Sequence, residues 1–178
     1  MVEFHKVLDA SKKIIAISFV FNLIIIVVWA LMTFAEMGTT IVTRGGLAMF
    51  GFGINMIIAM LVWGLWVFEY IGNFFIYAYS GFRAAKRGLS LVECGLVGLF
   101  SYAVVGLVTE ILKFAVGLLF AGATAASSSS DAAVAMFMGA LGLFGAVMRA
   151  ICAVGFYFAG LVMNFTIALI TGLIGGAK

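Results

Sequence analysis

The sequence predicts an all-α integral membrane protein, an antiparallel bundle of four long transmembrane helices, on three observations. Apolar runs at 14–34, 47–68, 91–108 and 132–174 each reach or approach the roughly 20 helical residues that cross a hydrocarbon core about 30 Å thick. The runs are continuously apolar and do not alternate, so a closed barrel is excluded. Of 178 residues, 66% are hydrophobic and 10% charged, and the mean hydropathy is +1.29. That leaves too little polar surface for a water-soluble globule of this size.

The whole chain, 1–178, reads as one polytopic domain. A first helix is expected over 4–36, followed by turn and cap residues at Met37-Gly38-Thr39-Thr40 and Arg44-Gly45-Gly46. Its apolar part is too long for the core of a cleaved signal peptide, and Glu3 and Asp9 precede that part. A second helix is expected over 47–82. The third, 89–122, opens at Ser90 with Glu93 three residues on, a capping-box spacing that sets a carboxylate at the positive end of the helix dipole. The Ala-Ser segment 122–130 ends it, with serines 127–130 as a flexible outer loop. Asp131 then caps the fourth helix, 132–176.

Tracts this long span about 50–65 Å at 1.5 Å per residue, more than a bilayer. Long tilted helices explain the excess, as do a break near Glu69 that leaves 70–82 at the interface or a break near Arg149 that gives five passes. Nothing around 147–150 resembles a turn, which favours four helices. The chain has no proline, so helices broken at mid-membrane for transport would have to rely on glycine.

The net charge is +3 and the pI about 9.0, but the bases are scattered between apolar runs and form no stripe for nucleic acid. They serve as topology markers. Lys6, Lys12 and Lys13 precede the first run, and Arg83, Lys86 and Arg87 lie between the second and third. The positive-inside bias keeps both clusters cytoplasmic. The connections 36–44 and 123–131 then face outward, and an even number of passes leaves both termini, including Lys178, cytoplasmic in the cell membrane.

Cys94 and Cys152 fall at different expected depths and act as small apolar residues. His5 is the only histidine, and no CxxC or HExxH motif occurs. The sequence therefore predicts no cofactor and no metal. An intramembrane enzyme lacks its Ser/His or paired-Asp arrangement, and no enzymatic activity is expected. Asn164-Phe165-Thr166 fits the glycosylation pattern inside an apolar run, beyond reach of a transferase.

Charged residues inside apolar helices are expensive and point to function or to pairing. Glu69, Glu110, Lys113 and Arg149 are such residues. Counting along the helices at 1.5 Å per residue places them, with Asn22, in one layer in the middle to upper part of a bundle about 50 Å tall. Arg149 is expected to meet Glu69 or Glu110 through paired hydrogen bonds. Structural salt bridging is the commoner fate of such groups, Glu110 and Lys113 pairing along one helix and lysine snorkelling to the interface. The sharper alternative is an ion or proton pathway.

Glu69, Asn73, Ser80, Arg83 and Arg87 recur at helical spacing as a polar stripe within an aromatic-rich segment, 63–82. The stripe suits an aqueous vestibule or a lipid-headgroup cleft, and aromatics at this level more commonly form an interfacial belt. Ala135, Gly139, Gly142, Ala146 and Ala150 form one small-residue face for close helix packing, either within the chain or against a second copy.

The function expected from these residues is a channel-like or transport-associated subunit that passes an ion or proton along the polar layer. The alternative is a structural or accessory subunit that scaffolds a larger complex. The expected partners are the lipid bilayer and either a homo-oligomer or a larger membrane complex.

Overall fold

The computed structural model describes residues 2–44, 48–127 and 132–178. Within these stretches the side chains at 37–44, 48–52, 121, 123–127, 132–135, 138, 146 and 149 lie outside the description. The regular structure among the described residues is entirely helical: α1 (Phe4–Arg44), α2 (Ala48–Lys86), α3 (Leu91–Ser127) and α4 (Ala132–Ile174). Each contains a segment long and apolar enough to cross a membrane: Phe4–Glu36, Gly53–Lys86, Leu91–Phe120 and Gly139–Ile174.

Two local readings change. The stretch from Met37 to Thr40 is helical where a turn was expected, and α3 continues past Gly122 to Ser127. A lone glycine costs a helix only about 1 kcal/mol, and alanine favours one. Without proline, nothing in these stretches ends the hydrogen-bond ladder. α2 passes unbroken through Glu69 and α4 through Arg149, so neither of the two alternative breaks occurs and the favoured four helices stand. Serines 128–130 and Asp131 lie outside the described residues.

Where helices do stop, the sequence supplies specific chemistry. Gly88 has φ +79°; its N–H donates to the Ala85 carbonyl and that of Leu89 to the Ala84 carbonyl, at 2.9 and 3.2 Å. This is the Schellman pattern, and Leu89 is buried behind it. Gly176, at φ +90°, closes α4 in the same way through Leu173 and Gly172. At the start of α3 the Glu93 carboxylate accepts from the Ser90 N–H and hydroxyl, both at 2.9 Å. Its other oxygen accepts the Glu3 N–H at 2.7 Å, and the Leu91 N–H donates to the Lys178 carbonyl at 3.1 Å. The opening of α3 thereby holds the chain before α1 through the Glu93 carboxylate and the chain after α4 through the orphan Leu91 N–H.

The helices contribute to two compact units. The first comprises Met1–Leu23, Glu69–Glu110 and Ala153–Lys178. Its apolar centre is Val7, Ala10, Ala84, Ala85, Leu89, Cys94 and Val97, and its helices approach closely through glycine. A Cβ on Gly98 would lie 2.5 Å from the Ala168 Cβ and 2.6 Å from the Asn164 carbonyl oxygen, and one on Gly172 would lie 2.7 Å from the Cys94 Cβ. Gly81 likewise sits against the Ala168 backbone and Gly175 against Ala85. In this unit α4 therefore runs antiparallel to α3 and parallel to α2. The second unit comprises Ile24–Phe68 and Ile111–Cys152. There Phe120 takes the edges of Trp29 and Phe34 at 6.3 and 5.0 Å between ring centroids, and Ile25, Ile26 and Ile58 are buried.

Gly98→Ala should lower stability by about 1–3 kcal/mol, because the added methyl meets backbone that cannot yield. Gly64, with nothing within 4 Å of its Cβ position, should accept alanine with no loss. Thermal unfolding of both variants in mild detergent measures this; matching midpoints would count against the close approach of α3 and α4.

Candidate functional site

The polar side chains of the first unit gather where α1, α2, α3 and α4 face one another. On α1, Ser11, Ser18 and Asn22 follow at intervals of seven and four, which keeps them on one face, and all three are buried. Opposite them on α2 are Asn73 and Tyr77, also four apart. The Asn22 amide donates to Asn73 Oδ1 at 3.0 Å, and the Asn73 amide returns a bond to Asn22 Oδ1 at 3.2 Å. Asn22 also donates to the Ser18 carbonyl at 2.8 Å. One turn away, the Ser18 and Tyr77 hydroxyls lie 2.9 Å apart. An amide buried without partners is costly, and the reciprocal pair leaves neither Asn22 nor Asn73 in that state.

Tyr77 leads to the other two helices. Its ring meets Tyr102 of α3 edge-on with centroids 5.8 Å apart, and Tyr102 stacks on Tyr157 of α4 at the same separation. Tyr102 can lie there because α4 offers Gly160 beneath its phenol. The Tyr157 hydroxyl donates to the Ala103 carbonyl at 2.9 Å, and the Asn164 amide to the Gly160 carbonyl at 2.8 Å. The carboxylates of Glu110 and Glu69 both lie near enough to the Tyr102 hydroxyl to act on it electrostatically, as do the hydroxyls of Tyr70 and Tyr157.

The first unit joins Asn22 of the expected layer to Asn73 of the expected stripe, and Glu69 and Glu110 belong to the same unit. Ser80 is buried and donates to the Tyr77 carbonyl at 2.6 Å, one turn from Arg83. Lys113 is a partly exposed residue of the second unit, and the Arg149 side chain lies outside the described residues, so the expected pairing of Arg149 with Glu69 or Glu110 does too. Of the expected small-residue face, Gly139, Gly142 and Ala150 are partly exposed, and the Ala135 and Ala146 side chains are not described. Close glycine contacts of α4 are seen at Gly160, Gly172 and Gly175.

Sequence reasoning missed Ser18, Tyr77, Tyr102 and Tyr157. The intervals from Ser11 through Ser18 to Asn22 were a readable signal. The tyrosines carried none, because phenols inside an aromatic-rich chain look like a belt. Cys94 is buried and Cys152 exposed, both as free thiols. Among the described residues no three His, Cys, Asp or Glu side chains converge as metal ligands do. No protein-family model matches the chain, and neither a curated protein nor a solved structure is significantly similar to it.

Replacing Asn22 or Asn73 singly by leucine strands the partner amide, while replacing both removes the need. A double-mutant cycle on thermal or denaturant unfolding should show a coupling of about 0.6–1.7 kcal/mol, the range of hydrogen bonds between helices in apolar surroundings. Additive losses would show that the two amides do not depend on each other.

Proposed function

We propose that this chain is a four-pass integral protein of the cell membrane, a transport-associated subunit that passes a proton or small cation along the polar cluster of its first unit. Membrane insertion is supported by what the helices leave uncovered. Leu119, Ile174 and Trp63 keep 73%, 73% and 71% of their surface exposed, and apolar exposure along all four helices is stable only in lipid or against a partner. The antiparallel arrangement of four passes and the cytoplasmic placement of both termini belong to this reading, on the positive-inside bias of Lys6, Lys12, Lys13, Arg83, Lys86 and Arg87.

The single observation that carries transport is the buried polar cluster of Asn22, Asn73, Ser18 and Tyr77, with Glu69 one turn before Asn73 on α2. Carboxylates within apolar helices are retained at a considerable energetic cost and characteristically mark cation or proton pathways. Acids favour a cation over an anion, and a phenol such as Tyr77 both donates and accepts a proton. Tyr77 and Ser18 continue the series of hydroxyls.

A second reading has its own observation. Asn22 and Asn73 satisfy each other, and Tyr157 is held on a backbone carbonyl. Such closed bonds clamp helices together, which suits a structural or accessory subunit scaffolding a homo-oligomer or a larger membrane complex.

Two measurements address these readings. In liposomes, the protein should carry protons or small cations above the level of empty vesicles, and Glu69→Gln and Tyr102→Phe should each reduce that flux about tenfold or more, in the range typical of a lost proton-transfer group. Flux equal to empty vesicles, with the variants folded, would leave the scaffold. Separately, cysteines placed at Lys12 and Lys178 in a chain lacking Cys94 and Cys152 should both resist an impermeant thiol reagent in intact cells and react after lysis. Labelling of either in intact cells would reverse the topology.

A further inference from the structure

The end of the first unit formed by the start of α1, the close of α2 and the opening of α3 carries six bases, Lys6, Lys12, Lys13, Arg83, Lys86 and Arg87, against three acids, Glu3, Asp9 and Glu93. Every acid is engaged. Glu3 pairs with Lys6 at 2.8 Å and Asp9 with Lys12 at 3.2 Å, while Glu93 accepts the N–H groups of Glu3 and Ser90. Lys86 lies over the Phe82 ring, 5.4 Å from its centroid.

Two guanidiniums remain without a carboxylate in ion-pair range among the described residues. They are Arg83, in the last turn of α2, and Arg87, just past its end, four residues apart, where like charges repel. Arg83 is half-buried, and its Nη1 is enclosed with no hydrogen-bond partner. A donor left so is uncommon and calls for a missing acceptor or counter-charge. Beside them, Arg87 lines an open cleft of about 430 Å³ together with Glu3, His5, Lys6, Asp9 and Leu89.

We infer that this end of the unit is a binding site for the phosphodiester headgroup of an anionic lipid. Arg87, which lines the cleft, supplies charge-assisted donors to the phosphate, for which guanidinium has the matching fork geometry, and Arg83 one turn away adds positive charge. The cleft receives the rest of the headgroup. Its mixture of acids and bases suits a headgroup bearing hydroxyl groups, which donate to Glu3 and Asp9 and accept from His5 or Lys6. The net positive balance selects an anionic over a zwitterionic lipid, and the location fits, since basic side chains next to cytoplasmic helix ends meet acidic headgroups.

The test uses the full-length protein in an uncharged detergent, titrated separately with dioctanoyl phosphatidylglycerol, dioctanoyl phosphatidylcholine and inorganic phosphate, with the thermal midpoint as readout. Phosphatidylglycerol should raise the midpoint saturably while the other two leave it unchanged. Arg87→Gln and Arg83→Gln should each weaken the apparent affinity about tenfold, and Lys12→Gln, whose lysine is already paired, should not. Arg87 is exposed, so its variant decides the matter even where Arg83→Gln fails to fold. An equal rise with phosphatidylcholine overturns the anionic headgroup, and an equal rise with inorganic phosphate overturns the lipid. Titration of Arg87→Gln at wild-type affinity overturns the site.

Discussion

The close approach of α4 to α2 and α3 is the constraint on which the first unit depends. Helices lined with leucine pack about 8–10 Å apart, and at that distance short polar groups cannot reach across. Gly81, Gly98 and Gly172 remove the side chains that would hold the helices apart. Gly160 does the same beneath Tyr102, and so allows a phenol to enter a space that a methyl group would fill. The same contacts that pack the unit thereby set the position of the Tyr102 ring between Tyr77 and Tyr157. Packing and candidate chemistry are one arrangement, and a change in helix separation moves both.

In apolar surroundings each polar group needs a partner close by, and the unit answers this by two routes. Serine and threonine turn back on their own helix: Ser11 donates to the Val7 carbonyl and Thr171 to the Ile167 carbonyl. Such bonds satisfy the hydroxyl without joining helices. Asn22, Asn73, Ser18 and Tyr77 instead bond between α1 and α2 and fix the register of the two. A slip by one turn would separate both pairs at once. Register in an otherwise uniform apolar surface is thus held by few neutral polar contacts, which specify an alignment without the desolvation penalty of buried charge.

The fold was legible because length and continuous hydrophobicity leave few alternatives: four runs of this kind make four helices. The capping box at Ser90 and Glu93 was legible too, as a local pattern with a local cause. Helix ends without such chemistry were not. The residues from Met37 to Thr40 look like a turn, yet glycine and threonine only lower helix propensity, and the ladder continues through them. The polar layer was legible in part. Counting 1.5 Å per residue brings Asn22, Glu69 and Glu110 to similar heights, but height carries no information on which face meets which. Asn73 was read as part of a stripe, and that it faces Asn22 emerges only from the rotation of α1 against α2. Tyr102 was invisible for the same reason, its role following from a glycine more than fifty residues away in sequence.

The distribution of charge along the first unit carries a last consequence. Its bases crowd the end where α2 closes and α3 opens, whereas Glu69 and Glu110 lie deeper along α2 and α3. A cation approaching from the basic end meets repulsion first and attraction only further in, while an anion meets the reverse. Neutralising that end with an acidic headgroup lowers the outer barrier to cations and leaves the inner acids unchanged. On the proposed transport reading, a lipid bound at this end would regulate cation entry toward Glu69 and Glu110 through its charge alone, with no movement of the helices required.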